Sequence, residues 1–336
     1  MPRLSVRQPR ALTLVNTKIR ILETIREVSG LVKQVAIVGN GQLALGVASV
    51  LSEREDVAVL GPTTRAEQNR ALTSGADVVI IATTTRLADV AESVEIAVTN
   101  GSNVIVSAEE CAYPWAVDPE TADRLDALAR QKRVTVLGAG LNPGFIFDAL
   151  IITMTGVRAS LDGIVVSRTV DLSGFGPSVR ERLGLGVDVS TFHAGVASGK
   201  ILGHAGFPQS MSIAAQALGI DIDRIDTLLE PILDGGLTVG VRQVYTAIVE
   251  GREWYRATFI GHLDPAGAGL TARDELILRG PLPLICTVDP WVGAQEGSQA
   301  IIANSIDRVI DARAGWITVA ELPPAHPSRR PSNLTA

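Results

Sequence analysis

From residue 35 onward, apolar residues fall into short blocks, each followed by a stretch in which they recur every three to four positions. The blocks at 35–38, 57–60, 78–82, 104–106 and 134–137 have strand length, and the stretches at 42–51, 66–72, 87–99 and 121–130 have helical spacing. Strands alternating with helices of this length predict a parallel sheet covered on both faces. Ahead of them, Asn16 and Thr17 can cap a helix carrying Ile21, Ile25 and Val28 that Gly30 ends, so an accessory helix is expected within residues 1–32.

After Asn142-Pro143-Gly144 the texture changes. Longer apolar runs at 163–170, 237–249, 255–263 and 274–278 predict a mostly antiparallel sheet, with helices at 210–217 and 225–233. A further helix is expected at 298–312, followed by a proline-rich ending. The expected division is 33–148 for a nucleotide-binding domain completed by 298–325, 149–297 for an α+β substrate and dimerisation domain, and 326–336 for a surface tail.

Composition narrows the partners. The 336 residues, 46% hydrophobic and 20% charged, suffice for two packed domains. A net charge of −6 gives no electrostatic pull toward nucleic acid or an anionic membrane, so a small-molecule partner is expected. Cys111 and Cys286 stand far apart, without metal-ligand spacing, which fits a reducing cytoplasm. Residues 1–8 are basic but lack the apolar block of a secretory signal, and no apolar run approaches the ~20 residues needed to span a bilayer.

Gly39-Asn40-Gly41-Gln42-Leu43-Ala44 matches G-x-G-x-x-A between a predicted strand and an amphipathic helix. The first glycine permits the tight turn, the second lets backbone approach a pyrophosphate, and the helix N-terminus favours the negative charge. In that context the motif marks a Rossmann-type dinucleotide site. The acid that would bond the ribose 2′-hydroxyl of NAD is missing from Leu60-Gly61-Pro62-Thr63-Thr64-Arg65. Thr63, Thr64 and Arg65 instead suit a 2′-phosphate, so NADP is preferred, with NAD as the alternative. Thr83 and Thr84, after the third strand, are expected to line the cofactor or to cap the next helix.

Glu109 and Glu110 follow the fourth strand, at the carboxyl edge where such sheets bind ligands. Extended-chain alternation would turn the two carboxylates different ways, leaving at most one to face a reacting atom. The plainer reading is a helix start, where acids are stabilised by the macrodipole. Tyr113 and Trp115 offer pocket walls, and Asn142, Pro143, Gly144 and Phe145 follow the fifth strand at the same edge, beneath the nicotinamide.

Four separated segments, Ser-Ala-Glu-Glu-Cys-Ala-Tyr-Pro-Trp at 107–115, Gly-Leu-Asn-Pro-Gly-Phe-Ile-Phe-Asp-Ala-Leu at 140–150, Gly-His-Ala-Gly-Phe-Pro-Gln-Ser at 203–210 and Ala-Gly-Trp-Ile-Thr-Val-Ala-Glu-Leu-Pro at 314–323, resemble the 2,4-diaminopentanoate dehydrogenases and related native amine dehydrogenases. These belong to the wider dihydrodipicolinate reductase-like group. The resemblance covers about residues 33–325 and implies a homodimer and NAD(P)-dependent oxidative deamination of an amine or diamino acid to a ketone. It also implies a glutamate of the pair as catalyst. More distant relatives, the homoserine dehydrogenases and the glucose-fructose oxidoreductase family, place a lysine at the position of Glu110, which ranks Glu110 above Glu109.

That exchange has a physical logic. A lysine suits an oxygen gaining negative charge, whereas a carboxylate suits an ammonium losing a proton and an iminium bearing positive charge. At about 4 Å and an effective dielectric near 20 such a pair is worth up to ~4 kcal/mol before desolvation. His204 in the Gly-His-Ala-Gly motif, and Arg168 and Phe175 on or after a long strand, are expected near the substrate, with Arg168 the anchor for any substrate carboxylate. The competing enzyme reading is an NADP-dependent imine or carbonyl reductase of the dihydrodipicolinate reductase or homoserine dehydrogenase type. Against the former, His193, His204, His262 and His326 are scattered and form no His-His signature. From another class, a non-catalytic NADP-binding sensor would keep the fold without turnover.

Overall fold

A computed structural model of the chain describes residues 32–327. The accessory helix expected at 17–29 and nearly all of the 326–336 tail lie outside the described residues.

The first sheet has six strands in the order β2–β1–β3–β4–β5–β12, paired in parallel: β1 (Lys33–Val38), β2 (Val57–Thr63), β3 (Val78–Ile81), β4 (Asn103–Val106), β5 (Thr135–Gly138) and β12 (Gly315–Ile317). Alternation along these strands feeds two apolar layers. Val35, Ile37, Val78, Ile80 and Ile105 face one side, where α1 (Gln42–Ser52) presents Ala44, Val47 and Leu51. Ala36, Val38, Val79, Ile81, Val104 and Val106 face the other, covered by α2 (Gln68–Leu72), α3 (Leu87–Thr99) and α4 (Pro119–Lys132). Both faces are therefore dry, as a parallel sheet requires.

Strand order reverses between β1 and β3, which places the fingerprint at the crevice beyond their carboxyl ends. Gly39 sits there with φ +114°, and a Cβ on it would lie 2.3 Å from the Ala82 carbonyl oxygen, so only glycine lets the two strand ends close up.

The second sheet follows the order β11–β10–β6–β9–β8–β7, with β6 (Gly163–Asp171), β7 (Arg224–Asp234), β8 (Leu237–Val249), β9 (Arg252–His262), β10 (Asp274–Arg279) and β11 (Leu284–Val288). Only β6 and β9 run parallel. Three helices accompany it, α6 (Pro177–Arg182), α7 (Val189–Ala197) and α8 (Phe207–Leu218), while α5 (Ala149–Thr155) leads into it. Phe147, Phe192, Phe207, Met211 and Tyr255 are buried in its core.

Two expectations need correction. The segment expected as a helix at 225–233 is strand β7, because Gly235 and Gly236 turn the chain straight back and pair it with β8. Its apolar residues mimic helical spacing, while Pro231 is tolerated because β7 is an edge. The long C-terminal helix, α9 (Ala294–Asp311), starts earlier than expected and is followed by β12, an unanticipated strand that extends the parallel sheet. Ile302, Ala303, Ile306 and Val309 of α9 pack beside α1. Lys33 and Arg54 each reach both Asp56 and Asp307, at 2.7–3.1 Å, tying α9 to the first strands. Among the described residues, no helix is long and apolar enough to cross a membrane.

Candidate active site

The carboxyl edge of the first sheet faces the second sheet across a cavity of about 220 Å³. Leu43 opens its nucleotide side, and Ser107, Glu109, Asn142 and Pro143 come from the loops after β4 and β5. Arg168, Phe175, Arg182 and His204 come from the second domain, and Gln295 and Ser298 from α9.

The nucleotide side fits a dinucleotide. Gly41 is the N-cap of α1, no side chain caps that helix, and a Cβ at Gly41 would meet nothing within 4 Å. Open backbone donors at a helix start with space above them suit phosphate. Further out, the three residues expected at a 2′-phosphate behave differently. Thr63 is turned inward, its hydroxyl donating to the Ile37 carbonyl at 3.0 Å. Thr64 gives its N–H and hydroxyl to Glu67, at 3.2 and 2.9 Å. Arg65 is exposed, with no ion pair among the described residues. Thr83 lies beside Gly39, and Thr84 donates to Asp89 in the first turn of α3.

The glutamate pair occupies a 3-10 turn at Glu109–Ala112 instead of an extended chain. Glu110 accepts the Leu87 N–H at 2.7 Å and donates its own N–H to the Thr85 carbonyl. Its carboxylate thus satisfies an unpaired donor at the positive end of α3. Glu109 lines the cavity, half-buried, and burial pushes its carboxyl above the ordinary value of 4.5. Its backbone N–H and the charge of Arg182 pull the other way without cancelling that effect. The ranking drawn from relatives puts Glu110 over Glu109; in the structure one Glu110 oxygen is engaged at a helix end while Glu109 lines the cavity, so the geometry favours Glu109.

Several other expected residues stand elsewhere. Tyr113 and Trp115 pack edge to face, 5.6 Å apart, with the Trp115 indole donating to Asp123, and neither lines the cavity. Phe145 points into a separate depression beside α9. Gly144 gives its N–H to Asp148 at 2.8 Å and shapes the turn beneath Asn142 and Pro143.

Arg168 reaches the cavity but forms a fork with Asp274, at 2.6 and 2.9 Å, between Phe147 and Trp291 rings 5.5 and 5.8 Å away. Its charge is balanced inside the protein. His204 stacks 4.7 Å from Phe259 and 5.1 Å from Phe207, with its backbone N–H bonded to Gln243. Burial, and then the charges of Arg168 and Arg182, lower its pKa to about 3, so it is a neutral wall at physiological pH.

Two residues that sequence reasoning missed organise this region. Asp148, fully buried, accepts from Gly144 N–H, Ala149 N–H and the Ser210 hydroxyl, at 2.8, 2.6 and 2.7 Å. Trp316 of β12, also buried, donates its indole N–H to the Cys111 carbonyl at 3.1 Å, bracing the back of the glutamate turn. These contacts join the four motifs in pairs, 107–115 with 314–323 and 140–150 with 203–210. No spacing rule signals either role, because both act across more than 60 residues.

The cavity has unmet polar demand. Of six buried side-chain N or O atoms without a hydrogen-bond partner among the described residues, Asn142 Nδ2, Arg182 Nε and His204 Nδ1 belong to residues that line it. Buried polar atoms are seldom left unpaired, so three around one space indicate a polar ligand. No group of three or more potential metal-ligating side chains is found among the described residues.

Known proteins share both the sequence and the shape. The family model of the 2,4-diaminopentanoate dehydrogenase C-terminal domain matches residues 145–328. The 2,4-diaminopentanoate dehydrogenase of Acetoanaerobium sticklandii is 32% identical over 311 residues, 87% of this chain and 86% of that protein. The chain belongs to the 2,4-diaminopentanoate dehydrogenase family. As a member of that family it is an oxidoreductase of the amine dehydrogenase class, dependent on a nicotinamide cofactor. The fold of this family member is also that of an amine dehydrogenase from Mycobacterium smegmatis, with a TM-score of 0.74 at 20% identity over 88% of this chain and 97% of that one. A probable dehydrogenase from Thermotoga maritima is a more distant likeness, with a TM-score of 0.51 at 10% identity over 82% and 88% of the two chains.

Proposed function

We propose that the enzyme oxidatively deaminates a small amine or diamino acid to a ketone and ammonia, with Glu109 as its acid–base group and NADP as the preferred hydride acceptor. The observation that carries this reading is the cavity itself, where a carboxylate made more basic by burial faces three unpaired polar atoms at the mouth of a dinucleotide site. A bound nicotinamide ring supplies the acceptor for one hydride.

Glu109 takes a proton from the substrate ammonium and passes it to solvent, leaving the neutral amine from which hydride departure is possible and the carboxylate ionised again. The carboxylate then stabilises the positive iminium carbon–nitrogen unit and deprotonates the water that adds to it. Glu109 gives that proton to the nitrogen and takes up the proton of the carbinol hydroxyl as the carbon–nitrogen bond breaks, so that ketone and ammonia leave. Asn142 Nδ2 offers a donor to the cofactor amide or to that water. His204 and Phe259 close one wall and limit access of bulk water. Run in reverse, the same groups perform reductive amination.

For the cofactor tail, Arg65 is the cation available to a 2′-phosphate, while Glu67 beside Thr64 can accept from the 2′-hydroxyl of NAD, so both cofactors are used. Two free cysteines support placing the enzyme in the cytoplasm. Exposed Leu228, Leu233 and Leu237 on the β7–β8 hairpin support a homodimer, for which light scattering would give twice the 35.4 kDa chain mass.

A panel of amines and diamino acids assayed for NADP and NAD reduction at alkaline pH tests this reading. Reduction by at least one amine is expected, with Arg65→Gln lowering kcat/KM for NADP roughly tenfold and leaving NAD unaffected, the scale of one lost charge-assisted hydrogen bond. Reduction by an alcohol and by no amine would overturn the assignment.

A further inference from the structure

The cavity that Glu109 lines has a larger neighbour. A second space of about 830 Å³ opens between α6 and α7, lined by Ala194 and Gly195 of α7 and by Ile201. The first, at 220 Å³, falls below the about 300–1,000 Å³ usual for ligand sites, so it admits a small substrate.

Helix α6 stands between the two. Val179 and Arg182 border the first cavity, whereas Pro177, Arg180 and Glu181 border the second space. Among the described residues Phe175, just ahead of the helix, is the one common to both linings. The partition therefore changes in kind along its length. Where it is α6 it contains main chain, which no side-chain truncation removes; at Phe175 it is a half-buried ring.

The turn that carries this ring is held by other atoms. The Phe175 N–H donates to the Leu172 carbonyl at 3.1 Å, and the Phe175 carbonyl accepts from Arg180 Nε at 2.9 Å. Arg180 Nη2 also donates to the Ser173 carbonyl. None of these bonds involves the Phe175 side chain, which packs at the edge of the apolar core. The floor of the second space is fixed as well: a Cβ on Gly184 or Gly195 would lie 2.5 or 2.6 Å from Ile201 Cδ1, so these segments are already in close contact.

We propose that Phe175 is the residue that limits substrate length: its ring ends the cavity, and a carbon chain running toward α6 meets it before reaching the larger space. The proposal rests on the amine function proposed above and adds a size limit to it.

The test uses the unbranched series from 2-aminobutane to 2-aminooctane. Binding to the full-length protein is measured by calorimetry in saturating NADPH, which cannot accept a hydride, so the amine binds without turnover; NADP reduction by the same series gives kcat/KM. The unaltered enzyme should bind 2-aminooctane no more tightly than 2-aminobutane. In Phe175→Ala, each methylene that passes into the second space should add up to about fourfold in affinity, and 2-aminooctane should gain at least about tenfold over 2-aminobutane, with kcat/KM following. Adding Ala194→Phe, which fills the second space from α7, should cancel that gain and leave 2-aminobutane binding as it was.

A steady rise of affinity with chain length in the unaltered enzyme would overturn the proposal. So would an unchanged length dependence in Phe175→Ala, a gain shared equally by short and long amines, a gain that survives Ala194→Phe, or failure of every amine to bind either protein. Should Phe175→Ala not fold, Phe175→Leu decides: a smaller gain confined to long amines supports the size limit, and no gain overturns it. Length-dependent binding governed by Phe175, with no NADP reduction by any amine, would sink the proposed function and leave the size limit standing.

Discussion

Adjacent glutamates with opposite duties are the residue-scale finding. Glu109 and Glu110 differ in role because one 3-10 turn sends the first toward the cavity and the second to the N-terminus of α3. On the proposed mechanism deamination needs Glu109 ionised, and burial has raised its pKa, so the rate is expected to fall as pH drops through a value above the ordinary carboxylate range. A kcat/KM profile against pH checks this; an acidic limb at 4.5 or below would contradict it. The position of the pair after the fourth strand, and the family resemblance, point to a glutamate here. The different directions the two side chains take depend on a hydrogen bond to Leu87, 23 residues away, and that no periodicity encodes.

Among the elements, those defined by local pattern were legible and those defined by partners were not. Strand β8 at Leu237–Val249 could be read to the residue, because alternation and flanking glycines are local. Strand β7 was misread because the spacing of Ile225, Leu228, Leu229 and Ile232 satisfies a helix as well, and only its hairpin with β8 decides. The three-residue β12 carries too little pattern to be recognised before its pairing with β5 is known. Asp148 joins three such elements: the loop after β5, the start of α5 and the first turns of α8. Asp148→Ala should cost at least ~2 kcal/mol by leaving buried donors unmet, whereas a surface control such as Asp234→Ala should be near neutral. Denaturant unfolding measures both, and equal midpoints would refute the role given to Asp148.

At the scale of the molecule, two sheets of different origin close one cavity, and each supplies what the other lacks. The parallel sheet and its helices contribute an open helix start suited to a dinucleotide and the turn that carries Glu109; the second domain contributes the apolar wall, His204, Arg168 from β6 and Arg182 from α6. The C-terminal helix α9 crosses back onto the first sheet and lends Gln295 and Ser298 to the cavity, with Ser298 accepting the Leu141 N–H at 3.1 Å. The proposed division of labour between Glu109 as acid–base group and Glu110 as positioning group is open to direct measurement. Amine-dependent NADP reduction and NADP binding are compared for Glu109→Gln and Glu110→Gln. The account predicts that Glu109→Gln loses about 10²- to 10⁴-fold in kcat while binding NADP normally, and that Glu110→Gln, whose amide oxygen can still accept from Leu87, stays within about tenfold of the unaltered enzyme. Full turnover in Glu109→Gln, with the loss falling on Glu110→Gln instead, would contradict it.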